Sequence, residues 1–126
     1  PYEGIRELLE ALQPQVKLGV FTGASHGAAE ILLGAAGLLD YFSIVVGGDE
    51  IEHPKPAPDG VLKAFASLSL NPEDGYYIGD AAHDMHAAKN ACAMPIGAGW
   101  GHLFAAVDGV VVARNPIEVL NIVDVS

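Results

Sequence analysis

The apolar positions of this chain switch repeatedly between two periods, and each switch marks an element. Ile5, Leu8, Leu9 and Leu12 recur at i, i+3, i+4 and i+7, one face of a helix that Pro14 closes. Lys17 to Phe21 is a short apolar run that reads as a buried strand. Ser25 is the expected N-cap of a second helix carrying Ala28, Ile31, Leu32, Ala35 and Ala36, and Gly37 ends it. The β-branched Ile44-Val45-Val46, bounded by Gly47-Gly48, predicts a second strand. A Pro-rich loop over 53–58 leads into a third helix with Val61, Leu62, Phe65 and Leu68 on one face, broken by Asn71-Pro72. Tyr76 to Ile78 predicts the third strand, Asp84 to Ala91 the fourth helix and Met94 to Ala98 a fourth strand. Pro95 suits a strand start. Val110 to Val112 predicts a fifth strand, and Pro116 opens a last helix with Ile117, Leu120 and Val123.

Strands and helices alternate from end to end, which predicts an α/β fold with a parallel sheet and helices on both faces. No repeat or boundary divides residues 1–126, so the expectation is one domain. Composition supports this: 51% of the 126 residues are hydrophobic, enough for a real core. The formal net charge of −10 argues against nucleic acid, which needs clustered Lys and Arg to neutralise phosphates, and against an anionic membrane surface. A small phosphate ester remains compatible if a metal and one or two local cations offset the repulsion. The single cysteine, Cys92, reads as a small buried hydrophobe within the alanine-rich fourth helix. One cysteine forms no intrachain disulfide, and no membrane-spanning run or basic signal region is visible in these residues. The expected location is therefore the cytoplasm.

The chemistry-bearing residues sit where strands end. Gly79-Asp80-Ala81-Ala82-His83-Asp84 puts two carboxylates four residues apart after the third strand. A hard cation such as Mg²⁺ takes oxygen ligands, usually one or two carboxylates plus water and substrate phosphate. Thr22 and Gly23 follow the first strand, and Lys55 lies between Pro54 and Pro56. In open α/β sheets the ligand crevice lies beyond the carboxyl ends of the strands. A hydroxyl, an ammonium and an acidic pair, each after a strand, point to phosphate and metal chemistry. Taken singly, each has a plainer role: Thr22 as a local cap, Lys55 as a solvated lysine, Asp80 as a turn former and Asp84 as a helix N-terminal acid. His83 between the acids has no Cys or His partner at zinc spacing. His26, His53, His86 and His102 read as polar surface or loop residues, with His53, beside Lys55, the one expected to face substrate. Gly97-Ala98-Gly99-Trp100-Gly101 is not G-x-G-x-x-G and reads as a loop at the crevice rim. Gly99 to Ala106, with Trp100 and Phe104, fits either an exposed partner patch or a loop packed on the core.

Leu18-Gly19-Val20-Phe21-Thr22-Gly23, His53-Pro54-Lys55-Pro56-Ala57-Pro58-Asp59 and Gly79-Asp80-Ala81-Ala82-His83-Asp84, in this order, resemble the haloacid dehalogenase-like hydrolases. Leu39-Asp40-Tyr41-Phe42 and Val46-Gly47-Gly48-Asp49 resemble the phosphoglycolate phosphatase-like subgroup. The resemblance runs from about Tyr2 to Gly101 and implies a Rossmann-like core. It also implies a Mg²⁺-dependent phosphatase acting on a small phosphorylated metabolite through an aspartyl-phosphate. By that resemblance Thr22 and the Gly23 amide hold the phosphoryl oxygens, and Lys55 neutralises nucleophile and phosphate. Asp80 would be the direct metal ligand and Asp84 the second acid. A phosphosugar mutase would share all these segments.

The family's Asp-x-Asp-x-Thr nucleophile segment is not present anywhere in these residues. The resemblance therefore implies a core domain without its usual first central strand and without a cap. That strand would lie between the Val20 and Tyr77 strands. Unpaired backbone there is costly, which implies a missing N-terminal segment, a truncated relative or half of a complex or homo-oligomer. The chain alone is then expected to be inactive. The rival reading is a non-catalytic phosphate- or metal-binding module. A receiver-like signalling domain is a third, but there the acidic pair comes early and the lysine late, the reverse of the order here.

Overall fold

The computed structural model describes residues 4–100 and 110–123. The first periodic run forms helix α1 (Ile5–Leu12), with Leu8, Leu9 and Leu12 buried. Strand β1 (Gly19–Phe21) follows, then α2 (His26–Ala35), whose N-cap is Ser25: its Oγ accepts from the Ala28 amide at 3.1 Å. Next come β2 (Ile44–Val46), α3 (Asp59–Ser67), β3 (Tyr76–Gly79), α4 (Ala82–Asn90), β4 (Met94–Ala98), β5 (Val111–Ala113) and α5 (Glu118–Val123). Short 3₁₀ turns at 39–41, 48–50 and 72–74 join them. The alternation read from the sequence is the observed element order.

All strands are parallel, and they form two ladders. β1 pairs with β2, Gly19 opposite Ile44 and Phe21 opposite Val46. β3, β4 and β5 form the second, with Tyr76 opposite Met94 and Ile96 opposite Val111. Among the described residues no ladder joins β1 to β3. The β3 positions Tyr76 and Ile78 stay 39% and 36% exposed, whereas Ile96 on the central strand β4 is fully buried. Two cores flank the strands. Val61 and Phe65 of α3 meet Ala87 and Ala88 of α4, with Phe21 and Tyr77 packed against them. Leu8 and Leu12 of α1 meet Ile96, Ala113 and Val119. Helices thus cover both faces, as expected for strands with near-continuous apolar runs.

Five local expectations need correction. Ile31 and Leu32 are 73% and 66% exposed, because only the Ala29 side of α2 is covered. In α3, Leu62 is 43% exposed, and Val61 and Phe65 carry the buried face. The last helix buries Val119 rather than Ile117: amides of Glu118, Val119 and Leu120 bond back three residues, and that tighter winding brings Val119 into phase with the buried Pro116. Cys92 is exposed, since α4 ends at Asn90 and Cys92 turns with φ +66 between buried Ala91 and Ala93. The supposed rim loop is also different, because Gly97 and Ala98 belong to β4 and Trp100 packs on the core of α1 and α5. Gly101, His102, Phe104 and Ala106 lie outside the described residues.

Gly60 shows how tightly α3 sits on the first ladder. A Cβ there would stand 1.9 Å from Cζ of Phe21. Gly60→Ala gains at most about 1 kcal/mol of helix propensity. Displacing a packed ring costs roughly 1–3 kcal/mol. The steric term wins, and urea denaturation should show a net loss of about 1–2 kcal/mol. An unchanged midpoint would mean that Phe21 has room to move.

Candidate functional site

Because the strands are parallel, the segments after β1, β2 and β3 leave the same end of the fold. Thr22 extends the first ladder, its amide donating to Val46 O at 3.0 Å, and its Oγ1 accepts from the Ala24 amide at 3.2 Å. The hydroxyl thus shapes the turn that presents Gly23, and its own O–H proton is still a donor. Among the described residues a cleft of about 230 Å³ opens here, walled by Phe21, Gly23, Gly48, Ile51, Pro54, Lys55 and His83. Gly23 and Lys55, both singled out from sequence, stand in this wall.

Lys55 spans the cleft to the third strand. Its Nζ donates to Asp84 Oδ1 at 2.6 Å and lies 5.2 Å from the centre of the Phe21 ring. The Asp84 Oδ2 accepts from the Ala81 amide at 3.1 Å, so both carboxylate oxygens are engaged. The two side chains are only 17% and 8% exposed. A charge-assisted bond this short, in a half-dry setting, is worth more than a surface ion pair. The loop bearing Lys55 is braced from α4, where Asn90 Nδ2 donates to Pro56 O at 3.1 Å. Asp84 therefore fills both the helix-capping role and the partner role for Lys55, 29 residues away.

Asp80 ends β3 beside this pair. Burial raises the Tyr77 phenol above its ordinary range first, and the charges of Asp84 and Asp80 add to the rise. Both carboxylates therefore act on one neighbourhood at the end of β3. His83 reaches the cleft from α4, with Nε2 4.0 Å from Asp84 Oδ1. The sequence reading missed it as a wall residue, because only the helix orientation turns it toward Lys55. His53 goes the other way. Its Nδ1 is 3.0 Å from Asp59 Oδ2, and the same oxygen accepts its backbone amide at 3.1 Å. That contact with His53 lowers the Asp59 carboxyl below its usual range. His53 is thus committed to the start of α3 and is absent from the described cleft wall.

The family model for haloacid dehalogenase-like hydrolases matches residues 1–98.

The chain belongs to the haloacid dehalogenase-like hydrolase family.

Among its curated relatives, "Probable phosphatase IndB" of Dickeya dadantii is 39% identical over 101 residues, covering 79% of this chain and 44% of the relative. The phosphoglycolate phosphatase of Chromobacterium violaceum is 34% identical over 122 residues, covering 94% and 54%. A subfamily IA haloacid dehalogenase-superfamily hydrolase from Geobacter sulfurreducens superposes with a TM-score of 0.86 at 27% identity, covering 96% of this chain and 55% of that one. The chain thus spans about half the length of the curated relatives it matches. Its homologues are phosphatases, and its fold is the Rossmann-like fold of the haloacid dehalogenase-like hydrolases.

The donor set fits a small hard cation. Asp80 follows β3, Asp84 lies in the first turn of α4, and the fields of both reach the Tyr77 phenol. Among the described residues no group of three or more His, Cys, Asp or Glu is arranged to hold a metal. Mg²⁺ needs only one or two carboxylates, with water and phosphate oxygens completing its shell.

Proposed function

We propose that this chain is the phosphate- and metal-binding half of a Mg²⁺-dependent phosphomonoester hydrolase. Lys55 in the wall of the cleft, paired with the buried Asp84 behind it, carries this reading. In it, the Gly23 amide and the Thr22 hydroxyl hold the phosphoryl oxygens, and Lys55 neutralises charge as the phosphorus is attacked. Asp80 and Asp84 would hold Mg²⁺, which when bound supplies positive charge to the phosphate oxygens. The nucleophile would be a carboxylate from the family's Asp-x-Asp segment, on a strand lying between β1 and β3. Its attack forms an aspartyl-phosphate and releases the alcohol, protonated by the second acid of that segment. Water then attacks the phosphorus, releasing inorganic phosphate and restoring the carboxylate.

No Asp-x-Asp occurs in these 126 residues, so we expect no hydrolysis by this chain alone. Mg²⁺-dependent hydrolysis of an aryl phosphate by the purified chain would overturn that part. The same absence favours a second reading, a phosphate- or metal-binding module without catalysis, which phosphatase activity of the intact protein would exclude. The substrate is a small phosphorylated metabolite, and no described helix is long and apolar enough to cross a membrane. The metal assignment has a direct test. Calorimetric titration with Mg²⁺ should give a binding isotherm for the intact chain and none for Asp80→Asn. Equal binding by both would remove Asp80 from the site.

A further inference from the structure

The segment that presents Gly23 is tied to the turn after β2, and the knot is His26. Its backbone amide donates to Asp49 Oδ1 at 2.8 Å, and its Nδ1 lies 2.7 Å from Glu50 Oε1. Its Nε2 lies 3.4 Å from Glu30 Oε2, one turn along α2. Glu50 Oε1 also accepts the Gly47 amide at 2.9 Å, and Lys63 of α3 donates to Glu50 O at 2.9 Å. The Gly48 amide donates to Ala24 O at 2.7 Å. A Cβ on Gly48 would stand 2.4 Å from the Gly23 carbonyl, so the two turns are in backbone contact. Both contribute to the cleft wall, through Gly23 and Gly48.

We propose that His26 is a positioning residue for phosphate binding: its imidazolium, held between Glu50 and Glu30, locks the Thr22–Ser25 turn onto the turn after β2, and the lock loosens when the ring loses its proton. The chemistry of the ring supports this. A neutral imidazole has one N–H and one lone pair, whereas both of its nitrogens here face carboxylates. Only the protonated ring donates to both. The groups facing it are Glu30 from α2, Asp49 and Glu50 from the turn after β2, and Lys63 from α3. Asp40 lines the same groove of about 510 Å³. The net field is acidic, which favours the cation.

The sign follows from the same contacts. The hydrogen bond to Glu50 raises the His26 pKa above 6.5. The Gly47 amide first, then His26, lower that of Glu50 below 4.5. The histidine contribution is therefore complete below pH 6.5 and is lost as pH rises through its raised value. The glutamate contribution is complete above pH 4.5 and is lost as pH falls through its lowered value. The lock is strongest between these limits and fails on the alkaline side, as pH rises through the raised His26 value.

The positioning role rests on the phosphate reading of the cleft, and two measurements on the intact chain separate them. Amide NMR from pH 5.5 to 9 should show the Gly23 and Gly48 resonances moving with the His26 ring titration, with a midpoint above 6.5. His26→Gln and Glu50→Gln should each remove that movement while resonances of the α1–α5 core stay in place. A Gly23 amide that ignores the His26 titration overturns the coupling. Sulfate, a tetrahedral dianion of constant charge over this range, is the second probe. Its affinity should fall by up to about fivefold as His26 deprotonates, the equivalent of one exposed ion pair. In His26→Gln it should be flat with pH. Coupled amides without sulfate binding at any pH would overturn the positioning role and the phosphate reading together, leaving only a structural lock.

Discussion

Lys55→Met in the intact protein is expected to lower kcat/KM for a phosphomonoester by about 10²–10³-fold, the usual effect of removing one donor aimed at developing charge. The side chain is well placed for such an effect. Its ammonium is largely withdrawn from water, lies over the Phe21 ring and stands in the wall of the cleft. Methionine keeps the apolar stem and deletes only the charge. Asp84 then retains the Ala81 amide alone. Stranding the Asp84 carboxylate, 8% exposed, costs about 3 kcal/mol, the low end for breaking a buried pair and within what a folded domain of this size tolerates. The rate should collapse while the protein still melts cooperatively. A variant with unchanged kcat/KM would remove Lys55 from the chemistry, and with it the observation that carries the functional proposal.

The second large effect is on stability. Asp84→Ala strands the half-buried Lys55 ammonium and takes away the acceptor that caps α4. Breaking a buried pair by deleting one partner typically costs about 3–5 kcal/mol. Lys55 is 17% exposed and can reach water, so the lower end, about 3 kcal/mol, is expected. Asp84→Asn isolates the charge, since its amide oxygen can still accept from Ala81. It should lose roughly half as much stability and all Mg²⁺ affinity, read by urea denaturation and calorimetry. If Asp84→Ala unfolds at the wild-type urea midpoint, the Lys55–Asp84 contact contributes nothing to the fold.

Much of this was legible in the chain because it depends on local spacing. The period of Ile5, Leu8, Leu9 and Leu12 marked α1 and its buried face. Ser25 marked a cap, and Ile44-Val45-Val46 marked a strand. Gly23 and Lys55 were found through strand-end position and motif, and both stand in the cleft wall. The errors fall where a neighbour decides. Ile31 and Leu32 have a helical pattern as apolar as that of α1, yet they face outward because none of the described residues covers that side of α2. Cys92 sits among alanines but is exposed by a left-handed turn. His26 read as a surface histidine, since Glu50 lies 24 residues away and meets it only when β1 and β2 pair.

The order of strands and helices, the residue types at the strand ends and the acidic pair after β3 were determined by the sequence itself. Backbone periodicity and turn chemistry act over a few residues and leave a local trace. Which of those side chains meet was decided by the tertiary structure alone. Lys55 finds Asp84, His83 lines the cleft and His26 bridges two turns, because parallel crossovers bring distant segments to one end of the sheet. Contacts closed over 20 to 30 residues depend on packing geometry, and no local pattern encodes it.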